Sequence, residues 1–289
     1  IYGIFSVLII SFTLIPVFFN ALIYYKNKRR TEPVTLSNSI VSLVSFVIFL
    51  LGSLFMNLLI PVLYITPAKL KHKKYFMALL IHLFSKLVVS INFTIKRDYI
   101  DKKKFDFSKP SVIISNHQSH LDLVLILMLN PKIIVFTNKW VWHNIVYGII
   151  IRYADYFPAF DGIKDKHEKI SKKISEGYSI LIFPEGTRTK DGTINRFHQG
   201  AFHVASIFNL DIQPIIIHGA YNCLPKSEFF LKSGHITIKF LDKIKPFPIE
   251  TEHGITFLQQ AKSIRAFYKQ EYYKIKQLKE TPAFYKKHL

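Results

Sequence analysis

The chain has 289 residues, room for one large domain or two small ones, and 49% of them are hydrophobic. Its mean hydropathy is positive, which is high for a soluble protein of this size. Lys and Arg total 39 against 19 for Asp and Glu, a net +20 that calls for a polyanionic partner, and the single Cys223 excludes an intrachain disulfide. The long apolar runs favour an anionic membrane over nucleic acid as that partner.

In chain order, Ile4 to Tyr25 carries no charge and has the length of one transmembrane helix, with Pro16 as a kink point. Lys26, Lys28, Arg29 and Arg30 follow it, which places that end on the cytoplasmic side. The segment lacks the basic leader and small-residue cleavage site of a signal peptide. The start at Ile1 leads to the expectation of a piece of a longer chain, or of a processed one. A second uncharged stretch runs from Thr35 to Ala68. As a straight helix it would be roughly 50 Å long, against a hydrocarbon core of about 30 Å. Basic residues flank both ends, with Lys69, Lys71, Lys73 and Lys74 closing it, so a bent or re-entrant element broken at Gly52 or Pro61 is expected over a plain crossing. Tyr75 to Ile95 is apolar but carries His82, Ser85, Lys86, Ser90 and Asn92. It reads as an amphipathic interfacial helix or as the first helix of a soluble domain. Lys96, Arg97 and Asp98 open a polar linker reaching Pro110.

From Ser111 the pattern changes to short apolar runs at Val112–Ser115, Ile133–Thr137, Tyr156–Phe160, Ser179–Phe183, Pro214–His218 and His235–Leu241. Helical stretches near 119–129, 139–153, 164–177 and 199–209 separate them. This alternation predicts an α/β fold: a mixed, largely parallel sheet flanked by helices, preceded by N-terminal membrane helices. Sites in such sheets gather at the carboxyl ends of strands. A basic, aromatic helix from about Thr256 to Lys279 ends the chain, with Lys262, Arg265, Lys269 and Lys274 on a solvated or headgroup-facing side. The expected division is a transmembrane helix over 1–30, a membrane-anchoring helical region over 31–98, an α/β domain over 99–250 and the basic helix over 251–289.

Two polar clusters follow buried strands. The first is Asn116-His117-Gln118-Ser119-His120-Leu121-Asp122. Ser119 and Asp122 have the spacing of an N-terminal helix cap, and His117 can fold back towards Asp122. An imidazole held by a carboxylate has a fixed tautomer and can take a proton from a hydroxyl. The plainer alternative is that His117 merely caps the helix. His120 is as readily a helix-surface residue as a site residue. The second cluster is Phe183-Pro184-Glu185-Gly186-Thr187-Arg188. Gly186 permits a tight turn whose free N–H groups suit an anion, Arg188 offers a fork of donors suited to phosphate, Glu185 would pair with a base, and the Thr187 hydroxyl would order the loop. Trp140 to Tyr156, including Trp142 and Tyr147, reads as packing or as the lining of an acyl tunnel.

Together the clusters resemble the glycerolipid acyltransferase family, which includes lysophosphatidic acid acyltransferases. Asn116 to Asp122 matches its Asn-His…Asp motif, and Phe183 to Arg188 matches its Phe-Pro-Glu-Gly-Thr-Arg motif without a gap. Arg196 to Ala201 and Pro214 look like its later segments, although Asp211 stands where a further proline is common. The resemblance implies His117 and Asp122 as catalytic residues and Asn116, Ser119, Lys139, Glu185, Gly186, Thr187 and Arg188 as substrate-binding ones. Members that bind glycerol phosphate often carry an Asp-Arg pair, where this chain has Asp161 and Gly162; that puts the phosphorylated acceptor in doubt. Ser11 to Pro16 looks like the last helix of a large lipid-exporter-type permease, which raises the expectation of a permease–acyltransferase fusion.

The resemblance implies a membrane-bound O-acyltransferase of phospholipid biosynthesis. It would take acyl-CoA or acyl carrier protein as co-substrate, need no cofactor or metal, and act on a lipid acceptor at the inner membrane facing the cytosol. The lipid bilayer would be its partner, and nucleic acid would not. His117, His120, Cys223 and His235 lack zinc-ligand spacing, and there is no Gly-x-Ser-x-Gly elbow. The rival reading is a non-catalytic, membrane-anchored module that binds acyl carrier protein or anionic lipid and is attached to a transporter.

Overall fold

The computed structural model describes residues 21, 35–159, 162, 164–226, 228, 230–246 and 257–281. The expected first membrane helix, the permease-like segment and Asp161 lie outside the described residues.

The Thr35–Ala68 run forms one unbroken helix, α1 (Leu36–Ile65), opened by Thr35, whose hydroxyl accepts the Asn38 N–H at 3.1 Å. The expected break at Gly52 or Pro61 does not occur. The return is made instead by a second helix, α2 (Leu70–Ile91). The pair is antiparallel: Ser45 bonds Asn92 at 3.0 Å, Phe49 meets Phe84, and the Tyr64 carbonyl accepts from Lys73 at 3.3 Å. Gly52 is a contact point rather than a hinge, because a Cβ there would overlap the Phe84 ring. Polar residues on one face of α1 explain its excess length. Asn38, Ser42 and Ser45 are buried, and Ser42 and Asn38 bond Leu231 and Ser233 of the α/β domain at 2.7 and 2.9 Å. Further along, Asn57 donates to the Val146 carbonyl, and Tyr64 packs edge-on against Tyr153. The hairpin therefore rests along the domain over its whole length. Its other face exposes Phe46, Leu51, Leu54, Phe55, Leu58 and Val62.

The sheet has seven strands: β1 (Ile95–Ile100), β2 (Val112–Ser115), β3 (Ile133–Thr137), β4 (Phe157–Pro158), β5 (Ser179–Ile182), β6 (Ile212–His218) and β7 (Gly234–Phe240). Their order is β1-β7-β6-β2-β5-β3-β4, and every pairing is parallel except β6 with β7. The central strands β2 and β6 are mostly apolar and buried along their whole length because both faces are covered. The intervening helices are α3 (Leu121–Leu127), α4 (Lys139–Trp142), α5 (Gly148–Tyr153), α6 (His167–Ser175), α7 (Gly200–Ile207) and α8 (Ala220–Cys223). The C-terminal α9 (Phe257–Lys279) packs on β6 and α7.

The polar linker opened by Lys96, Arg97 and Asp98 is instead edge strand β1, paired with β7. Two of its three charges are satisfied within the fold. Arg97 donates to the Val89 carbonyl, while Asp98 accepts from Thr237 at 2.8 Å, from His235 and from Lys279 at the end of α9. Three consecutive charges read as linker because these partners are distant in sequence.

Gly52→Leu forces a side chain into the Phe84 contact and is expected to destabilise the hairpin by about 1–3 kcal/mol. Thermal unfolding in detergent measures this, and an unchanged midpoint would mean that the helices do not meet there.

Candidate active site

At the carboxyl end of β2 the chain turns through Asn116–His120 into α3. Asn116 is buried, with its side-chain N–H donating to the Ile217 carbonyl at 2.8 Å and its Oδ1 accepting the Ile217 N–H at 2.9 Å. It extends the β2–β6 ladder by one rung, which commits both ends of its side-chain amide to Ile217. Ser119 is also fully buried, its hydroxyl accepting the Leu121 N–H at 3.2 Å, and it has no access to a ligand.

Asp122, buried in the first turn of α3, takes three donors on one oxygen. Oδ2 accepts from Nδ1 of His117 at 3.1 Å and from the N–H groups of Gln118 and Ser119 at 2.6 and 2.7 Å. The amide donors hold Oδ2 as an acceptor, so Nδ1 of His117 carries the proton and Nε2 keeps its lone pair. Asp122 thus supplies its half of the expected capping box by taking the Ser119 N–H, while the Ser119 hydroxyl takes the Leu121 N–H in place of the Asp122 one. The Phe183 ring stacks on the imidazole at 4.0 Å between centroids, tilted by 17°.

The second cluster follows β5 and is cross-linked to the first. Glu185 accepts the His117 N–H at 2.8 Å through Oε1 and the Asn195 N–H at 2.9 Å through Oε2. Thr189 N–H donates to the His117 carbonyl at 2.8 Å. Glu185 thus pairs with backbone amides and not with a base, as sequence reasoning expected. Burial pushes its carboxyl up to about 7, against the opposing pull of those two donors. Gly186 takes φ +68, the left-handed region that favours glycine, and its N–H is spent on the Phe183 carbonyl at 3.0 Å. The expected anion-binding N–H at Gly186 is therefore occupied. The N–H groups of Thr187 and Arg188 have no acceptor among the described residues.

His117, Gly186, Thr187 and Arg188 line one cavity of about 580 Å³, while Asp122 and Glu185 stand behind its wall. Lys139 is exposed outside the lining. His120 stands at the mouth, and desolvation by surrounding protein, then the charges of Arg188 and His117, lower its pKa to about 4. Leu123, Val135, Phe136, Val141 and Ile182 make an apolar wall, joined by Trp140, whose large exposed ring stands at the edge. Gly162 also lines the cavity, with open space beside it.

Sequence reasoning missed several contributors. Lys226 and His198 reach the same cavity from later loops. Gln118 donates to the Tyr272 hydroxyl and to the Gly192 carbonyl, both at 2.7 Å. The Tyr268 hydroxyl bridges β2 and β6, donating to the Ile114 carbonyl at 2.8 Å and accepting the Ile215 N–H at 3.1 Å. Through these two tyrosines α9 backs the His117 turn, and no local sequence signal marks contacts between residues so far apart.

Residues 92–218 match the family model described as Acyltransferase. The chain is 34% identical over 138 residues to the chloroplastic 1-acyl-sn-glycerol-3-phosphate acyltransferase LPAT1 of Arabidopsis thaliana, covering 45% of this chain and 38% of that one. The alpha form of the same enzyme from Homo sapiens is 29% identical over 160 residues, covering 53% and 54%. The match spans about half the length of the curated relatives, or less. In fold, the domain and its hairpin resemble the crystal structure of the 1-acyl-sn-glycerophosphate (LPA) acyltransferase PlsC from Thermotoga maritima. That likeness has a TM-score of 0.68 at 18% identity, over 83% of this chain and 98% of the other.

Asn116→Ala is expected to leave the buried Ile217 amide and carbonyl unpaired, costing about 1–3 kcal/mol of stability. Acceptor KM of the folded fraction stays unchanged; a raised KM at unchanged stability would restore the substrate-binding role. For Glu185, the carboxyl titrates near 4.5 when unfolded and about 7 when folded, so in that window the folded chain binds the extra proton. Stability from this group is therefore full below about pH 4.5 and is lost as pH rises through about 7. Unfolding midpoints across that range should fall more steeply in the parent than in Glu185→Gln, and parallel curves would contradict the assignment.

Proposed function

We propose that the chain is an enzyme that transfers a fatty acyl group from a thioester to a hydroxyl of a lysophospholipid-type acceptor. The observation that carries this reading is the His117–Asp122 pair, with the His117 Nε2 lone pair free in a cavity that is apolar on one wall. The acceptor hydroxyl binds beside Nε2. His117 removes its proton as the oxygen attacks the thioester carbonyl, and Asp122 stabilises the imidazolium that forms. The negative charge that develops on the carbonyl oxygen is met by the free N–H groups of Thr187 and Arg188. Collapse of the intermediate expels the thiolate, which takes up the proton that His117 received. The donor is acyl-CoA or acyl carrier protein, both anionic and drawn by the +20 charge.

The relatives named as 1-acyl-sn-glycerol-3-phosphate acyltransferases support the reaction class. The proposed location is the cytosolic face of the inner membrane. Both hairpin helices are long and apolar enough to cross a membrane. The contacts of α1 with the domain along its whole length support a different pose, with the hairpin lying in the membrane surface and its exposed Phe46–Val62 face among the lipid chains. Trp140, Ile145 and Ile149, also exposed, continue that face towards the cavity edge and give a lipid acceptor a short path in.

Membranes containing the chain, given labelled acyl-CoA or acyl carrier protein and a panel of lipid acceptors, should form a new acylated lipid. His117→Ala should lower that rate by about 10²-fold or more, the scale of general-base catalysis. Equal rates from both proteins would instead favour a lipid- or carrier-binding module without catalysis.

A further inference from the structure

Two cations stand on the cavity wall without an ion-pair partner among the described residues. Arg188 is half-buried and lines the cavity, and no ion pair is formed by it among the described residues. Lys226, from the loop that follows α8, lines the same cavity. Its ammonium donates to the Thr187 hydroxyl at 2.9 Å and to the Arg188 carbonyl at 3.3 Å, and it too has no ion-pair partner among the described residues. The nearby carboxylates are committed elsewhere. Asp122 holds His117 and two amides, Glu185 holds two amides, and Glu228 pairs with Lys232 at 3.1 Å. Two other lysines with little exposure are ion-paired: Lys173 with Asp155 and Glu176, and Lys239 with Glu271. An unanswered guanidinium in a partly dry cavity carries a desolvation cost that a bound anion removes.

We propose that Lys226 is the second anchoring cation of the acceptor's head group, acting with Arg188 to hold a phosphate monoester. This rests on the acyl-transfer reading and narrows it to a phosphorylated acceptor. An ammonium has three donors; Thr187 and Arg188 take two, and the third remains for a ligand oxygen. Arg188 offers a planar fork suited to two further phosphate oxygens. A monoester's charge of nearly two matches the two cations, whereas a zwitterionic head would set a quaternary ammonium against them. His117 lies in the same cavity, so an acceptor held by its phosphate presents its hydroxyl within that cavity. The open space beside Gly162 leaves room for the glycerol portion.

The test uses the full chain in detergent, comparing the parent with Lys226→Ala and Lys226→Arg. KM is measured for 1-acylglycerol 3-phosphate, for its unphosphorylated counterpart and for the acyl donor. Thermal shift with glycerol 3-phosphate is read in parallel. Lys226 is exposed, so both variants should fold. Lys226→Ala should raise KM for the phosphorylated acceptor about tenfold, the worth of one charge-assisted hydrogen bond. It should leave the other two KM values unchanged and shrink the thermal shift, and Lys226→Arg should recover most of both effects. A rise in donor KM alone would assign the site to the donor's phosphate and overturn the proposal, as would equal changes with both acceptors or none. If the parent turns over no acceptor, the acyl-transfer reading falls. The thermal shift then decides Lys226 separately: a shift lost in Lys226→Ala upholds the phosphate site, and equal shifts overturn it.

Discussion

The Oδ2 atom of Asp122 gathers three donors within one turn of chain, and the orientation of His117 follows from that convergence. Two of the donors are backbone amides that have no other role, so they fix the oxygen as an acceptor whatever the ring does. The imidazole is left with one orientation and one tautomer, further pinned by the Phe183 face. Glu185 repeats the device from the other side, tying the His117 N–H to Asn195 and so locking the two turns to each other. Both carboxylates are buried, and both are stabilised by amides rather than by cations. That leaves the cations of the cavity free for a ligand.

Support for this arrangement extends beyond residues 92–218. Tyr268 and Tyr272 on α9 reach the strand end and the turn beside His117, and Lys279 returns to Asp98 on the edge strand. Removing α9 would expose the back of the turn. The hairpin plays the corresponding part at the other end of α3, where His82 bonds the Leu127 carbonyl at 2.9 Å. The helix that carries Asp122 is thus held at both ends.

Much of this was legible from local patterns. The parallel core strands show as uninterrupted apolar runs, and the His117–Asp122 and Phe183–Arg188 clusters show as polar groups placed just after them. What the pattern concealed has a common cause, which is satisfaction at long range. Arg97 and Asp98 looked like linker because their partners, Val89, Thr237, His235 and Lys279, lie outside the segment. Asn116 looked like a ligand-binding amide because its partner, Ile217, is on another strand. The α1 run seemed too long for one helix because the docking of Asn38 and Ser42 on the 231–233 loop was not visible. Lys226 carried no motif at all, and only the fold brings it to Thr187.

The tautomer of His117 tests the central claim most directly. Nitrogen NMR of ¹⁵N-histidine-labelled protein in detergent, with His117 assigned by its loss in His117→Ala, reports which ring nitrogen carries the proton. The account predicts that the neutral form of the imidazole is protonated at Nδ1, with Nε2 bearing the lone pair, and that tautomers reverse or mix in Asp122→Asn. An Nε2–H tautomer in the parent protein would contradict it, because the nitrogen in the cavity would then be unable to accept a proton from the acceptor hydroxyl.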